Sequence, residues 1–251
     1  MHVVDLRNFY ETALGRLTAE LLSRRLKQLA SVSTGHTVMG LGFAHPYFTA
    51  MAHEDATSFS FMQAKQGVIH WPQEGEANRS VLVDECDLPL VESVVDLALV
   101  VHGLEFADTP DDMLHEVWRV LAPQGRLVLV IPNRRGLWAA SESTPFGHGQ
   151  PFSKHQITEL LKEAKFDVTR WDTALHFPPL RHRSTMATAR HFEKFGRLIV
   201  GAFAGVTIVE AVKQVYAFSS GKRARRLVPR FRPVFLPAPH GMRASRQDQF
   251  P

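Results

Sequence analysis

Leu6, Phe9, Tyr10, Ala13, Leu14, Leu17 and Leu21 keep to one stripe of a helix, while Glu11, Arg16 and Glu20 fall outside it. The spacing predicts a helix capped by Asp5 and running to about Leu29, whose dry face lies on its own fold or on a second chain. After the polar linker Ser31 to His36 the period changes. Thr37 to Leu41, Thr57 to Met62, Ser80 to Val83 and Val94 to Val101 read as strands one to four, the fourth an apolar run of the kind covered on both faces. Pro46 suits the first turn of a short helix ending near Ala52, because its missing N–H would be unpaired there anyway. Gln63 to Arg79, with Gly67, Trp71-Pro72 and Gly75, reads as a long loop.

The run from Glu116 to Pro132 writes a helix, a turn and a buried strand in succession. Asp112 to Leu121 is the helix, Pro123 cannot extend it, and Gly125 can take the positive φ that the turn requires. Leu127 to Ile131 is continuously apolar, and this fifth strand ends at Pro132. Residues 133–152, rich in Gly, Pro, Ser and Asn, form a long ordered loop over the strand ends, a kind of segment that is usually functional. Ser153 caps a helix carrying Ile157, Leu160, Leu161 and Ala164, and Phe166 to Trp171 begins strand six. Ser184 to about Phe203 reads as a further helix and Val206 to Ala217 as the last strand. Strands alternating with helices predict a wound α/β protein built on a parallel sheet. Its expected organisation is a helical segment at 1–35, a core at 36–218 and a tail at 219–251.

Charge changes the picture mainly at that tail. Residues 221–251 hold eight Lys/Arg against one Asp, a net +7, which leaves 21 Lys/Arg against 24 Asp/Glu, a net −3, for residues 1–220. Six basic residues fall between Lys222 and Arg232, where they are either simply solvated or bind phosphate, anionic lipid or an acidic protein. The single cysteine, Cys86, closes no intrachain disulfide, so a reducing cytoplasm is the default. The most apolar window, Leu198 to Val209, is shorter than the roughly 20 residues of a membrane span.

Glu116, Arg119, Val120, Leu121, Pro123, Gly125 and Leu127 form the pattern E-x-x-R-V-L-x-P-x-G-x-L, and Asp84-Glu85-Cys86-Asp87-Leu88-Pro89 stands ahead of strand four. Together with the apolar strand that ends at His102, these resemble the class I S-adenosylmethionine (SAM) dependent methyltransferases over residues 34–170, with Gln124 in place of a usual glycine. The resemblance implies a Rossmann-like seven-stranded, mostly parallel sheet of order 3-2-1-4-5-7-6, with helices on both faces and the N-terminal helix added. It also implies SAM as cofactor.

In an open α/β sheet the ligand lies beyond the carboxyl ends of the strands, at the switch point. Four stretches meet there. Gly40, Gly42 and Ala44 stand where the family has an acidic residue and its first two loop glycines, and Pro46 takes the third glycine's place. Gln63 stands where an acid usually holds the ribose hydroxyls, a replacement expected to weaken SAM binding by roughly 10- to 100-fold. By resemblance, Asp84 would accept from the adenine amino group, the Glu85 N–H would meet a ring nitrogen and Leu88 would cover a ring face. The other reading of Asp84 is a turn cap bonded to local backbone. His102 is a candidate base, or a hydrogen-bonded structural histidine, and Glu105 follows it.

Above that site, Arg134 and Arg135 can grip an anion, Trp138 and Phe146 can wall an acceptor, and His148 is a second candidate base. No zinc spacing, nucleophile elbow or phosphate-loop pattern is present, and His45 breaks a dinucleotide fingerprint. Two functions follow. The first is SAM-dependent methyl transfer to a small-molecule acceptor beneath the 133–151 loop. The second is an inactive methyltransferase-fold subunit that binds a protein through its first helix or its tail. A nucleic-acid substrate recruited by the basic tail ranks behind both.

Overall fold

The computed structural model describes residues 1–30, 32–51, 55–72, 75–179 and 204–215. Two N-terminal helices come first, α1 (Val3–Glu11) and α2 (Ala13–Leu29). The expected single helix breaks at Thr12, whose side chain accepts from Gly15 N–H and so starts α2 afresh, while the Thr12 N–H returns to Phe9 O. Gly15 makes the elbow possible: a Cβ there would stand 2.0 Å from Phe9 O. Asp5 lies in the first turn of α1 and does not cap it; the His2 side chain accepts from Val4 N–H instead.

The strands are β1 (Thr37–Gly42), β2 (Thr57–Gln63), β3 (Ser80–Val83), β4 (Val95–Val101), β5 (Leu121–Pro132), β6 (Phe166–Ala174) and β7 (Val206–Lys213). Between them lie α3 (His45–Met51), α4 (Pro110–Val120) and α5 (Lys154–Glu163). All seven strands form one sheet of order β3-β2-β1-β4-β5-β7-β6, parallel except where β7 runs antiparallel to β5 and β6. Within β4 the period of two divides the core. Leu97, Leu99 and Val101 face α1 to α3, and Ala98 and Val100 face α4 and α5. The stripe of α1 and α2 is buried in the first of these clusters through Leu6, Leu14, Leu22 and Leu26, which leaves it unavailable for a second chain.

The turn after Pro123 is a bulge within β5, where Val95 pairs Leu121 and Leu97 pairs Arg126. Its positive φ, +62°, falls on Gln124 and not on Gly125. Gly125 is needed for space, since a Cβ there would approach Ala122 O to 2.7 Å. The expected helix at 184–203 lies outside the described residues, as does the tail. Among the described residues no helix is long and apolar enough to cross a membrane.

Candidate functional site

The carboxyl ends of β1, β2 and β4 open toward α1, and the chain's own side chains meet there. Gly42 takes φ +81°, and a Cβ on it would stand 2.4 Å from Val101 O, so the turn after β1 hugs β4 as the glycine requires. Phe43 and Ala44 follow, both buried. The Tyr10 ring of α1 stacks on Phe43 with centroids 5.4 Å apart, and its hydroxyl lies 2.6 Å from the Tyr47 hydroxyl and 2.9 Å from His102 Nε2. His102 is 0% exposed, and its Nδ1 lies 3.3 Å from Glu105 Oε1. With a proton on Nδ1 alone, the His102 ring would donate to Glu105 and accept from Tyr10, which would accept in turn from Tyr47. Burial, with Tyr47 and Glu105 close by, pushes the Tyr10 phenol well up, and burial does the same to Tyr47, so both hydroxyls keep their protons.

His102 carries φ +50°, a left-handed conformation that strains a non-glycine residue. Its carbonyl accepts from Gln66 Nε2 at 2.5 Å. Gln66 thus reaches from the turn after β2 to the end of β4, across the end of β1. Gln63, 2% exposed, has neither side-chain atom paired, and Gln66 Oε1 and Glu105 Oε2 are likewise buried without a partner. On the side of α3, His45 donates to or accepts from Ser80 Oγ at 3.2 Å and stacks on Trp71, and burial pulls its pKa down to about 4.

An adenosyl group asks for a cleft of several hundred Å³, on the order of 300. Several residues expected to line one are packed against protein. The Gly40 position faces the Phe48 ring, whose Cζ would lie 2.5 Å from a Cβ, and Met62 and Leu88 are buried along with Gln63 and His102. Asp84 is exposed, and its carboxylate accepts from Cys86 N–H at 2.9 Å, the local turn cap. Glu85 is buried. As arranged, these residues do not fit SAM.

The rim also differs from expectation. Trp138 and Phe146 are interior residues, with Trp138 edge-on to both Phe146 and Phe177 and its Nε1 donating to Phe177 O, so neither walls an acceptor site. Arg134 and Arg135 are exposed. His148, with Nε2 2.9 Å from Glu142 O, lines a groove of about 290 Å³ together with Met1, Asp5, Phe9 and Thr144, a groove that His102 does not border. The two candidate bases therefore do not share this groove. A second groove, about 560 Å³, lies between the starts of β2 and β3 beside Ser58, Arg79 and Val81. No group of His, Cys, Asp and Glu among the described residues is placed to hold a metal ion.

Sequence reasoning missed Tyr10, Tyr47 and Gln66. Tyr10 sits among leucines in the α1 stripe, and nothing in the spacing marks it as polar-facing. Gln66 lies in a loop whose path only the fold reveals.

Residues 37–129 match the protein family described as a methyltransferase domain. No curated protein matches the chain. Among solved structures, a SAM-dependent methyltransferase from Thermotoga maritima superposes with a TM-score of 0.56 at 16% identity, covering 84% of this chain and 96% of that one. The protein bound to the Trm112 methyltransferase activator in Haloferax volcanii, itself described as a methyltransferase, gives the same TM-score and identity, over 84% and 98%. The [4+2]-cyclase SpnF gives 0.54 at 18% identity, over 78% and 80%. At these identities the likeness is one of fold.

Proposed function

We propose that this chain, whose residues 37–129 match a methyltransferase domain family, uses the fold as a binding domain for a protein partner and does not transfer methyl groups unaided. The hydrogen bond from Gln66 Nε2 to the His102 carbonyl carries this reading, because it fills with protein the space that a cofactor at the switch point would need. The altered loop supports it as well: Gly40 and Gln63 lack the carboxylates that would engage an amino group and the ribose hydroxyls. Likeness to a fold that elsewhere binds a protein activator, and elsewhere belongs to a cyclase, is consistent with a changed role. Calorimetric titration with SAM and S-adenosylhomocysteine tests it. No binding is expected at 1 mM ligand, roughly −4 kcal/mol as a limit, and micromolar affinity for either ligand overturns it.

One observation favours methyl transfer to a small acceptor as the second reading. Gln63, Gln66 and Glu105 present buried polar atoms without partners at the strand ends, and such atoms ordinarily face something polar. On this reading SAM occupies the space after a rearrangement, and the groove beside Phe9 and His148 takes the acceptor. The same titration separates the two.

A further inference from the structure

Resting on the closed site just proposed, we infer that α1 and the Gln63–Gly67 turn form a built-in plug, an autoinhibitory contact that covers the carboxyl ends of β1, β2 and β4. The two pieces are joined to each other as well as to the strand ends. Val3 N–H donates to Gln66 O at 2.7 Å, and Gly67, at φ +89°, lies so close that a Cβ would stand 3.2 Å from His2 Nε2 and 3.3 Å from Val3. The first turn of α1 therefore holds the Gln63–Gly67 turn in place, and that turn sends Gln66 to the His102 carbonyl. The last turn of α1 sends Tyr10 to Phe43, Tyr47 and His102. Both ends of one short helix thus act on His102, the residue whose backbone is strained.

The plug is held by polar contacts that leave other polar atoms unmet. Gln66 uses its amide nitrogen and leaves Oε1 unpaired, Glu105 uses one oxygen and leaves the other, and Gln63 uses neither of its side-chain atoms. A permanent core would gain from apolar residues at these positions, since buried unpaired polar atoms are costly. Their presence beneath a helix that meets α2 at an elbow, where Thr12 interrupts the helical hydrogen bonds, fits a contact that can be exchanged for a ligand. Such a ligand would need donors and acceptors for an amide, an amide carbonyl and a carboxylate oxygen, which a nucleoside bearing an ammonium group provides.

The test uses the full chain and S-adenosylhomocysteine. Tyr10→Phe keeps the ring on Phe43 and removes only the hydroxyl contacts to Tyr47 and His102, so it is expected to fold. Gln66→Ala removes the third contact. With each hydrogen bond worth about fivefold, the double variant should open roughly a hundredfold more often and bind the nucleoside with a dissociation constant below 1 mM, where the parent binds none. Hydrogen exchange gives a second reading. Amides of Val3 to Glu11 should exchange about 25-fold faster in Tyr10→Phe, with those of Asp111 to Val120 unchanged. Unaltered exchange in α1 overturns the plug. A folded double variant with fast α1 exchange and no binding at 1 mM also overturns it, while leaving the binding-domain reading intact. Micromolar binding by the parent chain overturns both.

Discussion

Two regions differ in how their polar groups are met: the loop after β3 where it joins α4, and the strand ends beneath α1. Between that loop and α4 the charged side chains are paired: Leu88 N–H donates to Glu116 Oε1, and Arg119 donates to Glu116, to Leu88 O and to Leu90 O. At the strand ends beneath α1, Gln63, Gln66 and Glu105 leave polar atoms buried and unmatched. The residues that carry the family resemblance, Glu116 and Arg119, thus do structural work, tying the loop after β3 to α4. They anchor that loop to α4 whether or not anything is bound. The residues that would meet a cofactor have no such role, and these are the ones that differ.

Removing the anchor should have the largest effect. Arg119→Ala loses two bonds to carbonyls and the pair with Glu116, whose pKa Arg119 holds below its usual range and whose carboxylate keeps only the Leu88 N–H. A loss of about 3 to 4 kcal/mol is expected, or a drop in Tm of roughly 10 °C by calorimetry. A change under about 1 kcal/mol would mean that the motif is not the anchor.

Acid should act in the other region. Burial holds His45 near pKa 4, against 6.5 when unfolded, so between those values the unfolded chain binds a proton that the folded chain refuses. Stability is then full above pH 6.5 and falls as the pH drops toward 4, by about 2 kcal/mol between pH 7 and 5. His45→Phe, which keeps a ring on Trp71, should flatten that part of the denaturation profile. An unchanged slope would assign the acid sensitivity to another group.

Gln63→Leu should stabilise the protein by about 1 kcal/mol, because it replaces an unmatched buried amide with apolar volume. A loss of stability in chemical denaturation would reveal a partner for that amide and weaken the contrast between the two regions. Smallest of all, Arg7→Ala breaks an exposed pair with Glu11 at 3.8 Å and should move Tm by no more than that expected for about 0.3 kcal/mol. It serves as the control for variants in α1.

Much of the architecture was legible from local pattern. The apolar runs at β4 and β5, the Ser153 cap and Pro46 in the first turn of a short helix gave elements where they are found, while the helix expected from Asp112 begins at Pro110. The sheet order followed from resemblance and agrees with the structure. The errors arose where one residue answers to two neighbours. Thr12 could be read as a helix residue until its side chain was seen to serve Gly15, and Gly125 looked like the turn's flexible point although Gln124 carries the positive φ.

Periodicity settles which faces are apolar and hence the layered fold, because burial of a stripe or a strand face depends on composition along a few turns of chain. It cannot say what stands opposite a given side chain across 36 residues, as Gln66 stands opposite His102, or across 92, as Tyr10 does. Whether the strand ends are open or filled is decided by those long-range meetings. The same glycine turn can line a cleft or hug a neighbouring strand, and only the packing of α1 over it selects the second.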